Sequence, residues 1–188
     1  MRARVQPRLL AATLALSAAA FVALVRQEGY TERAVIPVQG DVPTIGFGST
    51  RHEDGRPVRL GETTTPVNAL AKAHFHITQE EKRFRASLPG VYLTQAEYDL
   101  YMDWVYQYGS AAWGRSSMRA QLLAGHPRAA CEALLRYRFV AGYDCATPGN
   151  RRCPGVWARQ QQRHAACLAA VAASASAPAS GAGKKDQP

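Results

Sequence analysis

Residues Leu9 to Val25 form a seventeen-residue run without a charge, with Thr13 and Ser17 its only hydroxyl side chains. Arg2, Arg4 and Arg8 precede it. A run of this kind has to leave water, into a bilayer or into a protein core. As one helix it would reach about 26 Å at 1.5 Å per residue, just short of a hydrocarbon core of roughly 30 Å. Seven of the seventeen are alanine, so the span would be a weak one. The arginines would stay on the cytoplasmic side and send the remainder across the membrane. A cleavable signal peptide competes with this reading, because Ala18-Ala19-Ala20 offers a small-residue cleavage site. A buried helix of a soluble domain is the third option. We therefore expect an N-terminal apolar helix, with residues 1–25 acting as a signal-anchor or signal segment.

The cysteines agree with export. Cys131, Cys145, Cys153 and Cys167 all lie in the last third of the 188 residues, and no CxxC pair or zinc-like His spacing accompanies them. Four thiols allow three connectivities. We expect Cys145–Cys153 to close a short Pro/Gly loop and Cys131–Cys167 to tie two helices, as an oxidising compartment permits. Four reduced, buried thiols would be the cytosolic alternative.

Between these ends the chain reads as one mainly helical domain over 26–172. Arg26 to about Arg33 looks like a short helix continuing from the apolar run. The stretch 34–50 mixes small apolar residues with Gly, Pro and Asp, which predicts a hairpin or small sheet. Residues 52–64 are turn-rich, a loop or short strand. Thr65-Pro66 opens a helix with Thr as N-cap and Pro at the first helical position, ending before Pro89-Gly90. Thr94 and Glu97 form a capping box for a helix that turns Tyr98, Tyr101, Met102 and Val105 inward. Further helices are expected near 114–124, 127–138 and 155–172. The tail 173–188 is poor in bulky apolar residues and is expected to be disordered.

The candidate chemistry lies with carboxylates. His74 and His76 face different sides of a helix, and Ser116-Ser117 lacks a nucleophile-elbow setting; no metal or cofactor is implied. Glu28 ends a largely apolar helix just before Gly29, and Asp41 occupies a turn near Thr44. A carboxyl in an apolar setting has its pKa raised and can protonate a glycosidic oxygen. A second polar group across the sugar can then orient water. A capping Glu and a turn Asp are the structural alternative.

Here a resemblance enters. Glu28-Gly29 followed by Thr44-Ile45-Gly46-Phe47-Gly48-Ser49-Thr50 resembles the Glu-Gly … Thr-Ile-Gly-Tyr-Gly-His-Thr signature of phage-type lysozymes (endolysins). Thr63-Thr64-Thr65-Pro66, Tyr106-Gln107-Tyr108-Gly109, Ser116-Ser117-Met118 and Gly155-Val156-Trp157 with Arg159 extend the likeness through much of 26–168. The resemblance implies an α+β, mainly α, lysozyme-like fold with a small β-hairpin lobe and a helical lobe. It also implies hydrolysis of the β-1,4 bond between N-acetylmuramic acid and N-acetylglucosamine. Glu28 would be the general acid and Thr44 would help hold the catalytic water. The family's aspartate would fall at Val38, six positions before Thr44; the nearest Asp is Asp41, to which we give the water-orienting role. The resemblance leans towards inversion at the anomeric centre. Gln107 and Gln160 replace the family's Asn and second Arg.

Three classes of function compete: an exported peptidoglycan-cleaving lysozyme, a catalytically impaired wall-binding protein on the same fold, and a basic nucleic-acid-binding protein. The net charge of +9 alone favours the last, and the export-like N-terminus argues against it. Anionic wall components explain the charge without a nucleic acid. The expected protein is a monomer whose partners are bacterial peptidoglycan and, through Leu9–Val25, the inner membrane. The segment resembles the anchor of signal-anchor-release endolysins, which are tethered and inactive until it leaves the membrane and are then periplasmic.

Overall fold

The N-terminal apolar run does not form one helix. In the computed structural model, which describes residues 6–38 and 40–175, Leu9–Leu10 is a strand (β1), Ala11–Thr13 a single 3-10 turn, and helix α1 begins only at Ala18 and ends at Glu28. The expected apolar helix is thus corrected to a strand, a turn, an extended link and an eleven-residue helix. No helix among the described residues is long and apolar enough to cross a membrane.

The two hydroxyls and the rest of the fold explain the break. Thr13 Oγ1 donates to the Leu10 carbonyl at 2.8 Å. Ser17 caps α1 by accepting from Ala20 N at 3.1 Å, a bond that competes with continuing a helix through it. The extended link has no intrachain ladder, so its backbone groups need other partners. They find them on distant side chains. Leu16 N donates to Glu81 Oε1 at 2.6 Å, Arg85 donates to the Leu14 carbonyl at 3.0 Å, and Gln95 Nε2 donates to the Ala15 carbonyl at 2.8 Å. Asp99 takes both Ser17 N and Ser17 Oγ, at 3.0 and 2.6 Å. Ala11, Leu14, Leu24 and Val25 are buried, so this segment is part of the domain's core.

After α1 the chain does not continue as the helix expected over Arg26–Arg33. Gly29, at φ 70°, ends it, and Thr31–Val35 (β2) pairs antiparallel with Thr44–Gly46 (β3), matching Thr31 with Gly46 and Val35 with Thr44. Residues 47–64 follow as turns with isolated bridges. Beneath this lobe Ala34, Ile45 and Val58 form a small core of their own.

Helix α2 (Pro66–Ala86) links this lobe to the helical one, and Thr65 caps it as expected, accepting from Asn68 N. Tyr92–Leu93 (β4) pairs with β1, and α3 (Gln95–Tyr108) starts at the expected capping box: Thr94 N donates to Glu97 Oε2 at 2.9 Å and Glu97 N to Thr94 Oγ1 at 3.1 Å. The second Glu97 oxygen holds Arg8, which also donates to Ser174 Oγ at 3.1 Å. Four helices follow: α4 (Ser110–Gly114), α5 (Ser117–Leu123), α6 (Pro127–Ala133) and α7 (Pro154–Ala175). Between the last two lies the hairpin Phe139–Val140 (β5) and Tyr143–Asp144 (β6).

The main core surrounds α3. Tyr98, Tyr101, Met102 and Val105 point inward as the periodicity required, joined by Trp104. Phe84 and Trp113 lie 5.0 Å apart between ring centroids, and Trp104 stacks on Tyr108 at 4.5 Å. The buried Trp113 satisfies its Nε1 by donating to Ser87 Oγ at 2.9 Å. Both expected disulfides are present: Cys131–Cys167 joins α6 to α7, and Cys145–Cys153 closes the loop after β6. Helix α7 runs three residues beyond its expected end, to Ala175; the remainder of the expected disordered tail lies outside the described residues.

Candidate active site

Glu28 is the last residue of α1, at the point where the chain leaves the helical lobe for the β-lobe. The turn after β3 approaches it. Ile45 and Ser49 exchange backbone hydrogen bonds at 3.0 Å in both directions, which closes residues 46–48 into a tight loop. Gly46 and Gly48 hold φ values of 65° and 75° there. A side chain at Gly46 would meet Ala69 Cβ at 2.7 Å, and one at Gly48 would lie 3.2 Å from Glu28 Oε2. Glycine at these positions therefore serves close approach, of the loop to α2 and of the loop to the carboxylate.

Two cavities are lined by residues that approach or interact with this carboxylate, Gly48 and Tyr106 in one and Arg159 in the other. The first, about 200 Å³, lies between the β-lobe, α2 and α3 and is lined by Phe47, Ser49, Arg51, Ala73, His76 and Tyr106. The second, about 260 Å³, is lined by Gln107, Cys153, Gly155, Val156 and Arg159. Tyr106 lines the first and Gln107, its neighbour on α3, lines the second. Arg159 donates to Gln107 Oε1 at 3.4 Å. A larger cavity of about 510 Å³ is lined by His52, Asp54, Asn68 and Lys72 among others; Glu28, Asp41 and Thr44 line none of these three cavities.

The Glu28 side chain is open to solvent, yet its carboxyl is partly desolvated, which pushes its pKa up. The Arg159 guanidinium opposes the shift without cancelling it. Tyr106 senses the same carboxylate: burial, and then the negative charge of Glu28, push its hydroxyl up to about 12. A carboxyl with a raised pKa at the mouth of a cleft is suited to donate a proton near neutral pH.

The other two expected residues lie on the hairpin. Thr44 opens β3, and its Oγ1 donates to the Val35 carbonyl at 3.4 Å. The register runs from Thr31, next to the end of α1, outward to Val35 opposite Thr44, so Thr44 sits at the outer end of the ladder. Asp41 lies beyond that end, in the connecting turn, exposed, with its Oδ1 accepting from Val42 N at 2.8 Å. The structure thus brings Gly48, Tyr106 and Arg159 towards Glu28 and leaves Asp41 at the hairpin tip. Tyr106 and Arg159 were legible as parts of sequence likenesses, but no local signal marked them as neighbours of Glu28. Among the described residues, no group of His, Cys, Asp and Glu has the arrangement of a metal site.

The family model described as Phage lysozyme matches residues 25–163. The endolysin of Salmonella phage P22 is 30% identical over 130 residues, covering 69% of this chain and 88% of that protein. Among solved structures, an endolysin from Escherichia coli O157:H7 phage FAHEc1 aligns at TM-score 0.68 with 23% identity, over 83% of this chain and 94% of that one, a likeness of fold. A point mutant of P22 lysozyme aligns at TM-score 0.66 with 26% identity, over 83% and 99% of the two chains.

Proposed function

The chain belongs to the phage lysozyme family and is a peptidoglycan-degrading glycoside hydrolase of the muramidase type; from that premise we propose that Glu28 is its general acid, with Asp41 and Thr44 orienting the attacking water. The observation that carries the assignment is the Glu28 carboxyl at the end of α1, raised in pKa by desolvation and approached by Gly48. Protonated Glu28 gives its proton to the bridging oxygen of the β-1,4 bond. The bond from that oxygen to the muramic-acid anomeric carbon breaks, and positive charge develops on the sugar. Water held from the hairpin side attacks the opposite face, one of its protons passing to Asp41 and the other staying on the new anomeric hydroxyl, and the product has inverted configuration. Thr44 is suited to hold that water because its hydroxyl makes only a long bond to Val35.

Lysis measured beside Glu28→Gln, Asp41→Asn and Thr44→Val tests the three roles separately. Glu28→Gln should be inactive. Full activity of Asp41→Asn would remove Asp41 from the mechanism and leave the acid in place.

The finer reading concerns delivery. Residues 1–25 act as a releasable signal anchor, 26–172 as the catalytic unit and 173–188 as a tail; the enzyme is tethered to the inner membrane, then released as a periplasmic monomer. Support comes from the double use of one segment. Leu9–Val25 is uncharged and alanine-rich enough to enter and leave a bilayer, while Ala11, Leu14, Leu24 and Val25 also fill the folded core. Tethering and folding therefore compete for the same residues, and Glu28 at the end of α1 is complete only in the folded form. Leucine at Ala15, Ala18, Ala19 and Ala20 should trap the chain in the membrane and delay lysis. N-terminal sequencing that found only chains beginning near Phe21 would replace the anchor with a cleaved signal peptide.

A further inference from the structure

Helix α7 turns two polar side chains into the core. Gln160 and Arg163 are both buried, on the face that continues with Cys167 and Ala170, at the three- and four-residue steps that keep side chains on one side of a helix. The first three of these meet α3, and their partners descend as α7 ascends. Gln160 Nε2 donates to Tyr108 Oη at 2.8 Å, and Arg163 Nε donates to Asp103 Oδ2 at 2.6 Å. Tyr101 Oη donates to the disulfide sulfur of Cys167 at 3.3 Å. The two helices are thus joined antiparallel by polar contacts at successive turns.

Packing alone disfavours an amide at position 160. Gln160 is fully buried, and its Oε1 has no partner among the described residues. A leucine of similar volume would fill the site without an unmet acceptor. A directional bond does what apolar contact does not: it selects one register of helix on helix. This bond also lies directly beneath a contact in the cleft. Gln107 and Tyr108 are consecutive on α3, and Arg159 and Gln160 are consecutive on α7. The inner pair, Tyr108 and Gln160, bonds in the core at 2.8 Å, while the outer pair, Arg159 and Gln107, meets at the surface at 3.4 Å. A bond as long and exposed as the outer one holds little by itself, so the inner one decides where the outer pair stands. Tyr108 is held in turn, its ring stacked on Trp104 at 4.5 Å and its hydroxyl donating to the Tyr137 carbonyl at 3.4 Å.

Resting on the reading of Glu28 as general acid, we propose that Gln160 is a positioning residue of this enzyme: its buried bond to Tyr108 sets the register of α7 on α3, and that register holds Arg159 against Gln107 and towards Glu28. The groups whose charge couples to Glu28 are Arg159 from α7 and Tyr106 from α3. The turn after β3 presents Gly46, Phe47 and Gly48, which carry no charge. Helix α2 meets α1 at Phe21, which lies 5.8 Å from His74 between ring centroids and about two helical turns before Glu28. Displacing Arg159 therefore removes positive charge that favours the ionised carboxylate, and Glu28 keeps its proton to higher pH.

Two substitutions break the bond from opposite sides. Gln160→Leu removes the unmet acceptor and leaves Tyr108 the Tyr137 carbonyl, so its melting temperature should equal or exceed that of wild type. Tyr108→Phe keeps the ring but leaves a buried amide without its bond, so it should melt lower. Both should nevertheless move the alkaline limb of the kcat/KM profile on peptidoglycan, which reports the general acid of the free enzyme, to higher pH. Above that limb, kcat/KM relative to its own plateau should be about twofold higher than wild type in each, the size of a partly exposed charge pair. In an Arg159→Ala background, Gln160→Leu should move the limb no further. An unmoved limb, a shift in Tyr108→Phe alone, or an undiminished Gln160→Leu shift in the Arg159→Ala background overturns the register role while leaving Glu28 as the acid. An active Glu28→Gln variant overturns the general-acid reading, and the register role with it.

Discussion

Replacing Asp99 with alanine should show how far the N-terminal segment depends on the body it packs against. The Asp99 carboxylate accepts Ser17 N at 3.0 Å, Ser17 Oγ at 2.6 Å and Gln95 Nε2 at 2.8 Å. Bonds to a charged acceptor are worth about 1.5–3 kcal/mol each when well shielded. This site is half-buried and Gln95 retains the Ala15 carbonyl, so the three do not add in full. We expect a loss of about 2–3 kcal/mol, or a melting temperature about 4–12 °C lower for a domain of this size. Thermal unfolding by circular dichroism under oxidising conditions measures it. In a double-mutant cycle with Ser17→Ala, a coupling of about 1 kcal/mol should appear, because the two side chains share a bond. Activity should fall too, since Ser17 starts the helix whose last residue is Glu28, about 16 Å along its axis. An Asp99→Ala variant melting like wild type, or strict additivity with Ser17→Ala, would refute the view that this contact anchors α1.

Three other predictions follow from named contacts. Desolvation makes folded Glu28 hold its proton more tightly than the unfolded chain does, so its ionisation costs stability as pH rises through the folded pKa. Glu28→Gln should accordingly melt above wild type at neutral pH, and calorimetry should show the difference vanish below the ordinary carboxylate range. Arg159→Ala removes the charge that opposes that shift, so the alkaline limb of the kcat/KM profile should move to higher pH; a limb moving lower would disprove the electrostatic role. The loop lengths of the two bridges, 36 and 8 residues apart in sequence, give about 4 kcal/mol for Cys131–Cys167 and about 2.5 kcal/mol for Cys145–Cys153. Paired Cys→Ser variants measured in urea should rank in that order.

Some of this protein was determined within short stretches of its sequence. Thr65-Pro66 and the Thr94–Glu97 capping box start α2 and α3 because the partner groups lie within one helical turn. The inward face of α3 follows from the period of its apolar residues. Cysteine placement was enough to choose the two bridges, and the Thr-Ile-Gly-Phe-Gly-Ser turn announced the loop that meets Glu28. Tertiary structure decided the rest. Leu9–Val25 reads as one apolar helix by hydropathy and length, yet Glu81, Arg85, Gln95 and Asp99 supply partners for an extended backbone and, with the Ser17 cap, divide it. Those partners are more than sixty residues away, beyond the reach of periodicity or propensity. The electrostatics of Glu28 were equally invisible, because Tyr106 and Arg159 reach it only through the packing of α3 and α7. Desolvation and charge–charge attraction depend on distance in space, and sequence spacing carries that distance only within a turn or a hairpin.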